Sequence, residues 1–141
     1  AARNLQSGND LLQQILYGTI DMTFYDRFDP LGKLTMTETA AELQNSITHY
    51  PYVERTHQMA SFDHLLGYGA AYYGYLWSEV YAADMFSVFE KEGVLNPAVG
   101  YRFRKAILEK GGSEDPMKMV RAFLGRDSNT EAFLKNHGIA E

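Results

Sequence analysis

Four side chains able to polarise a carbonyl group stand within a short stretch: His64, Tyr68, Tyr72 and Tyr75. The tyrosines are spaced by four and then three residues, which on a helix sets all three on one face. Phenol hydroxyls donate hydrogen bonds and stay protonated at neutral pH, their ordinary pKa lying at about 10. A row of them beside an imidazole can therefore stabilise an oxyanion without giving up a proton. Gly67 and Gly69 flank Tyr68, and Gly69, Ala70, Ala71 and Gly74 are small, so the backbone there can lie close to a ligand or to another chain. The plainer reading of a tyrosine stripe at helical spacing is a half-buried core whose hydroxyls bond backbone or water. On spacing alone that reading is the commoner one.

The elements that must position these residues read as helices. Asn9 can cap a first helix running to about Tyr25, with Leu11, Leu12, Ile15, Leu16, Ile20 and Phe24 on one face. Asp29-Pro30-Leu31-Gly32 breaks it with a turn. Thr35 followed by Glu38 forms a capping box and predicts a second helix from about Met36 to Ile47. From Thr48 to Gly69 no period is sustained, and a long loop with one short helical turn is expected, of the kind that is functional or disordered. A long helix should follow from about Ala70 to Glu92, carrying Tyr72, Leu76, Val80, Ala83, Met85 and Phe89 on its apolar side and Gly93 as its C-cap. Asn96-Pro97 opens the next helix, which ends at Gly111-Gly112. Ser113-Glu114-Asp115-Pro116 starts another, with two acids in its first turn, closing near Gly125. A last one spans about Asn129 to Asn136 and stops at Gly138. The expected class is all-α, a helical bundle forming one domain over residues 1–141. No internal repeat or low-complexity segment interrupts it.

Composition narrows the functions open to such a chain. With 141 residues, 45% hydrophobic and 22% charged, it can bury a sizeable core. A net charge of -5 argues against nucleic acid or an anionic membrane as the main partner. No apolar run is long enough for a transmembrane helix, and the start lacks the layout of a secretory signal. The absence of an initiator Met leads to the expectation that Ala1 lies inside a longer polypeptide. Without cysteine there is no disulfide framework, no Cys-based zinc finger and no thiol nucleophile.

Other catalytic signatures are absent as well: no Gly-x-Ser-x-Gly elbow, phosphate-binding glycine loop or dinucleotide fingerprint occurs. The histidines are His49, His57, His64 and His137, and none belongs to a His-Glu-x-x-His helix. No metal ligands are assigned in this chain. His49 and His57 read as surface or loop residues, His137 as a residue packed at the end of the last helix, and Glu79 as a solvated charge one turn beyond Tyr75.

The segment from His64 to Glu79, continuing through Val80-Tyr81-Ala82-Ala83-Asp84-Met85-Phe86, resembles the glycine- and tyrosine-rich segment of the thimet oligopeptidase, neurolysin and oligopeptidase A family. Downstream, Phe89-Glu90-Lys91-Glu92-Gly93-Val94-Leu95-Asn96-Pro97, Ile107-Leu108-Glu109-Lys110-Gly111-Gly112-Ser113-Glu114-Asp115, Phe123-Leu124-Gly125-Arg126-Asp127 and Ala132-Phe133-Leu134 resemble that family's final helices in the same order. The resemblance is strong from about Phe62 to Gly138 and weaker before.

It implies the C-terminal portion of a zincin-like oligopeptidase catalytic domain, in a two-lobed, mostly helical enzyme whose channel admits short peptides. Zinc would be held by a His-Glu-x-x-His helix and a further Glu outside this chain, leaving the chain inactive alone. By the same resemblance Tyr75 matches the tyrosine that donates to the oxyanion, and Tyr68 a second tyrosine near the substrate carbonyl. His64 matches the loop histidine that binds the substrate backbone, and Tyr72 a cleft tyrosine, with Gly67 and Gly69 in the substrate-binding loop. Many relatives carry two glycines before the tyrosine matching Tyr68, whereas only Gly67 precedes it here, so the loop is one residue shorter. The partners implied are short peptides and the missing N-terminal part of the same enzyme. Self-association is expected through the apolar face that this part would cover. The expected compartment is the cytoplasm, with a mitochondrion or another organelle as the alternative. The non-catalytic alternative is a helical peptide-binding or interaction module that keeps the tyrosine surface and does no chemistry.

Overall fold

The computed structural model describes residues 5–139, and all the regular elements among them are helical. Among the described residues seven α-helices follow one another: α1 Ser7–Asp26, α2 Met36–Ile47, α3 His64–Gly67, α4 Gly74–Glu92, α5 Pro97–Phe103, α6 Pro116–Leu124 and α7 Glu131–Asn136. A 3-10 turn occupies Gln58–Ser61, and a π-turn, Arg104–Leu108, continues α5. The all-α class expected from the sequence is therefore what the chain adopts. It divides into two compact units, Ala1–Leu76 and Trp77–Glu141.

In the first unit the core forms where α1 meets α2. Leu16, Ile20 and Ala40 are buried there, with Phe24, Leu43, Ile47, Met59 and Phe62 packed around them. Leu11 is buried too, while Ile15 is 44% exposed, so the apolar face of α1 is narrower than its hydrophobic period suggests. The capping box forms as expected: the Thr35 hydroxyl accepts from the Glu38 N–H, and the Glu38 carboxylate accepts from the Thr35 N–H. The Asp29–Gly32 turn also closes, the Gly32 N–H donating to the Asp29 carbonyl at 3.0 Å. Asn9 does not cap α1. The helix begins two residues earlier, behind Gln6, which offers no side-chain cap, and the Asn9 amide lies 3.4 Å from the Tyr50 hydroxyl instead.

The second unit has its own apolar centre. Val99, Met119, Val120 and Phe123 are buried, and the rings of Phe89, Phe103 and Phe123 meet with centroids 5.3 to 5.9 Å apart, two of the three pairs edge-on. Its helix ends follow the sequence signals closely. Gly93 and Gly125 take positive φ, and Asn96 caps α5 ahead of Pro97. Asp115 accepts from the Lys118 N–H at 2.9 Å ahead of Pro116, so it caps α6 from outside instead of lying within its first turn. Glu114 also precedes that helix and pairs with Lys110. The last helix starts at Glu131, not Asn129, and the His137 ring lies tilted against Phe133 at its end with centroids 4.5 Å apart. Glu79 is not merely solvated, since its carboxylate lies 2.9 Å from His137 Nε2.

A buried carboxylate organises the last loop of this unit. Asp84, 1% exposed on α4, accepts two bonds from the Arg126 guanidinium at 2.6 and 2.8 Å, one from the Ser128 hydroxyl and one from the Asn129 N–H. These donors, led by the Arg126 bonds, hold the Asp84 pKa below its ordinary value of 3.8 against the opposing effect of burial.

The largest departure from the sequence reading falls at the start of α4. The helix begins at Gly74, not Ala70. Ala70 sits at φ +58, in the left-handed region that costs a non-glycine residue about 1–2 kcal/mol. Tyr68 and Tyr72 therefore lie outside the helix that carries Tyr75. Upstream, the long irregular segment contains the 3-10 turn and α3, two short helical pieces where one was expected.

Candidate functional site

The four residues with chemical potential do come together, although not on a shared helix face. His64 opens the single turn α3, Tyr68 caps it, Tyr72 lies in the turn before α4 and Tyr75 in that helix's first turn. His64 Nε2 is 3.0 Å from the Tyr75 hydroxyl. Around this pair the His64 ring lies 4.9 Å from that of Tyr72 and 6.1 Å from that of Tyr68, both edge-on. Tyr75 lies 5.0 Å from Tyr72 and 5.8 Å from Tyr68.

Burial separates the roles available to the tyrosines. Tyr72 is 8% exposed, so here the half-buried-core reading holds: its hydroxyl donates to Gln14 Oε1 at 3.2 Å, and its ring meets Tyr17 and Phe62 nearly edge-on. Burial pushes its phenol pKa above the ordinary 10.0, which the bond to Gln14 only partly offsets, and Tyr72 is neutral across the physiological range. Tyr68 and Tyr75 are 45% and 50% exposed, so neither is withdrawn into the core as Tyr72 is.

The His64–Tyr75 contact has two hydrogen-bonding senses. With a proton on Nε2 the imidazole donates to the phenol oxygen, which frees and polarises the Tyr75 O–H for an acceptor outside the protein. With Nε2 bare, Tyr75 donates to the ring. Only the first arrangement offers an outward-facing donor at full strength. A carbonyl oxygen gathering negative charge is a suitable acceptor for it.

Helix α1 holds this loop in place through residues that periodicity did not single out. Asp21 is fully buried, and its two carboxylate oxygens accept from the Ala70 N–H at 3.0 Å and the Tyr72 N–H at 2.9 Å. The Tyr25 hydroxyl donates to the Leu65 carbonyl. A Cβ on Gly69 would overlap the Tyr25 ring, which explains a glycine at that position, whereas at Gly67 it would meet nothing. Gly18 lies under the backbone of Tyr73, 3.6 Å from where its own Cβ would be. The available signal was a carboxylate, Asp21, directly beside Ile20 on the core-facing side of an apolar helix.

The sequence pattern of peptidase family M3 matches residues 1–139. The chain is 38% identical to oligopeptidase A of Escherichia coli (strain K12) over 141 residues, covering 99% of this chain and 21% of that protein. A probable cytosolic oligopeptidase A of Arabidopsis thaliana is 33% identical over 99% of this chain and 21% of its own length. The mitochondrial intermediate peptidase of Homo sapiens is 34% identical over 89% of this chain and 17% of its own length. The chain belongs to peptidase family M3. It spans about a fifth of the length of these relatives.

Family M3 is one of zinc metallopeptidases, and a zinc centre requires three or four converging His, Cys or carboxylate ligands. Among the described residues no group of three or more such side chains could hold a metal ion. His64 is surrounded by aromatic rings and a phenol hydroxyl, not by further ligands. The residues present do not fit zinc, and what they offer is a set of neutral hydrogen-bond donors. None of the helices among the described residues is long and apolar enough to cross a membrane.

Proposed function

We propose that this chain is the C-terminal, cleft-lining part of a longer M3 oligopeptidase that hydrolyses short peptides. Within it, Tyr75 donates a hydrogen bond to the carbonyl oxygen of the scissile peptide as that oxygen becomes an oxyanion. His64 orients and polarises the Tyr75 hydroxyl through its Nε2 and binds substrate backbone. Tyr68 supplies a second donor beside the same carbonyl, Tyr72 forms the cleft wall, and Gly67, where nothing crowds the backbone, lets the substrate pass close to the loop, while Gly69 is taken up by the Tyr25 ring. Zinc and its ligands belong to the remainder of the polypeptide, so the chain alone binds no zinc and cleaves nothing. The family's relatives include proteins named as cytosolic and as chloroplastic or mitochondrial, and the cytoplasm is the compartment proposed here.

The observation that carries this reading is the 3.0 Å contact between His64 Nε2 and the hydroxyl of Tyr75, a residue that is half exposed. A phenol recruited only for packing has no need of an imidazole partner at an accessible surface. The test uses an internally quenched peptide of about eight residues, short enough for a narrow cleft. The complete peptidase should hydrolyse it, and Tyr75→Phe should lower kcat by about 100- to 1000-fold with KM little changed, the loss typical of one oxyanion donor. Unchanged kcat in Tyr75→Phe would sink the assignment. The chain alone, supplied with zinc, should leave the peptide intact; chelator-sensitive cleavage by it would place a metal site among its own histidines.

A further inference from the structure

We infer that Asp21 is a positioning residue for peptide hydrolysis: its buried carboxylate sets the loop that carries His64, Tyr68 and Tyr72 and delivers the chain to Tyr75. The inference rests on the function proposed above for Tyr75. Asp21 is 0% exposed, yet no cation pairs with it among the described ion pairs. Burying a carboxylate is costly unless it is hydrogen-bonded, and here both bonds go to one short piece of backbone, the Ala70 and Tyr72 N–H groups. One of those residues, Ala70, is in the left-handed region at φ +58, a conformation that persists when its surroundings enforce it. The grip is on the main chain three and five residues before Tyr75 and follows directly on Gly69.

Two further residues of α1 act on the same loop from the same side of the helix. Gly18, Asp21 and Tyr25 are spaced by three and four, so they form one stripe. Gly18 admits the Tyr73 backbone, Asp21 holds Ala70 and Tyr72, and Tyr25 bonds the Leu65 carbonyl while its ring covers Gly69. The stripe thus touches the loop before, within and after the two glycines that would otherwise let it move. A displacement of about 1 Å in a catalytic group can cost on the order of 100-fold in rate, which makes such a template consequential for turnover as well as for folding.

A double-mutant cycle in the complete peptidase distinguishes positioning from plain stabilisation. Asp21→Asn keeps the size but turns one acceptor into an NH2 that faces a backbone N–H. It should lower kcat by roughly 10- to 100-fold with KM little changed. In the Tyr75→Phe background the same change should cost clearly less, because the main donor whose placement it disturbs is already gone and only the placement of Tyr68 and His64 is left to lose. Asp21→Glu retains both acceptor oxygens but moves them by one methylene, and provides the same cycle should the Asn variant fail to accumulate. It should show the same non-additivity with a smaller loss. Equal losses in both backgrounds, or a change in KM alone, would overturn the role of Asp21 while leaving that of Tyr75 standing. If Tyr75→Phe itself keeps full kcat, it is the function of the tyrosine that fails.

Discussion

The three tyrosines share a chemical group and differ in surroundings, and the surroundings decide what each can do. Tyr72 is withdrawn from water and bonded to Gln14, so its contribution is to packing and stability. Tyr72→Phe should cost about 0.5–1.5 kcal/mol, the net worth of a typical hydrogen bond. Its pH dependence has a definite sign. The folded-state pKa is raised by burial above 10.0, so the stabilising preference for the neutral hydroxyl is complete below that value and is lost as pH rises through the raised one. Denaturation of the parent protein should therefore grow easier relative to Tyr72→Phe as pH is raised above that ordinary value, and parallel curves for the two would refute it. Tyr75, by contrast, is wet and imidazole-paired, and its loss should be read in turnover more than in stability. The sequence brought these residue types to notice, but its geometric argument was mistaken. A common helix face was expected, whereas Tyr68, Tyr72 and Tyr75 converge from a helix cap, a turn and a helix start.

At the scale of elements, what was legible followed the range of the interaction. Thr35 with Glu38 and Asn96 with Pro97 mark helix starts through bonds spanning two or three residues, and each forms where its local pattern places it, whereas Asp115 caps the helix whose first turn it was expected to join. The beginning of α4 could not be read this way. Ala70 to Tyr73 are helix-compatible as a string, and a side chain 49 residues away captures the Ala70 N–H and leaves that residue left-handed. The same kind of long-range carboxylate anchor appears at Asp84, which ties the segment at Arg126, Ser128 and Asn129 to α4. Asp84→Asn should destabilise by about 2–3 kcal/mol, as expected for bonds to a charged group partly shared with solvent through Arg126. Because the folded pKa of Asp84 is depressed, this contribution is complete above 3.8 and disappears as pH falls through the lower folded value. Urea titrations of parent and variant should therefore differ at neutral pH and converge in acid; a gap that stays constant would contradict the role given to the carboxylate.

For the whole molecule, 141 residues correspond to about a fifth of the relatives' length, and many large apolar side chains lie in the open. Leu31 and Leu95 are 95% exposed, Leu66 is 90% exposed and Trp77 59%. Single exposed apolar residues are ordinary, but so many on a short chain favour association with further protein surface. The isolated chain should self-associate in a concentration-dependent way in sedimentation experiments, and a strictly monomeric chain that still binds peptides would favour a free-standing binding module. At this scale the ordered series of family-like segments in the sequence was more informative than any one motif, since it extends over most of the chain whereas each motif is short.

The bonds from Asp21 end on main-chain N–H groups, which every amino acid except proline presents alike. The anchor is consequently indifferent to the side chain at position 70, whereas position 72 is fixed a second time by the burial of its own ring. Ala70 can be replaced by another residue that tolerates positive φ, such as Asn, without releasing the loop. The template is written on α1, and the anchored main chain reads it without reference to that side chain.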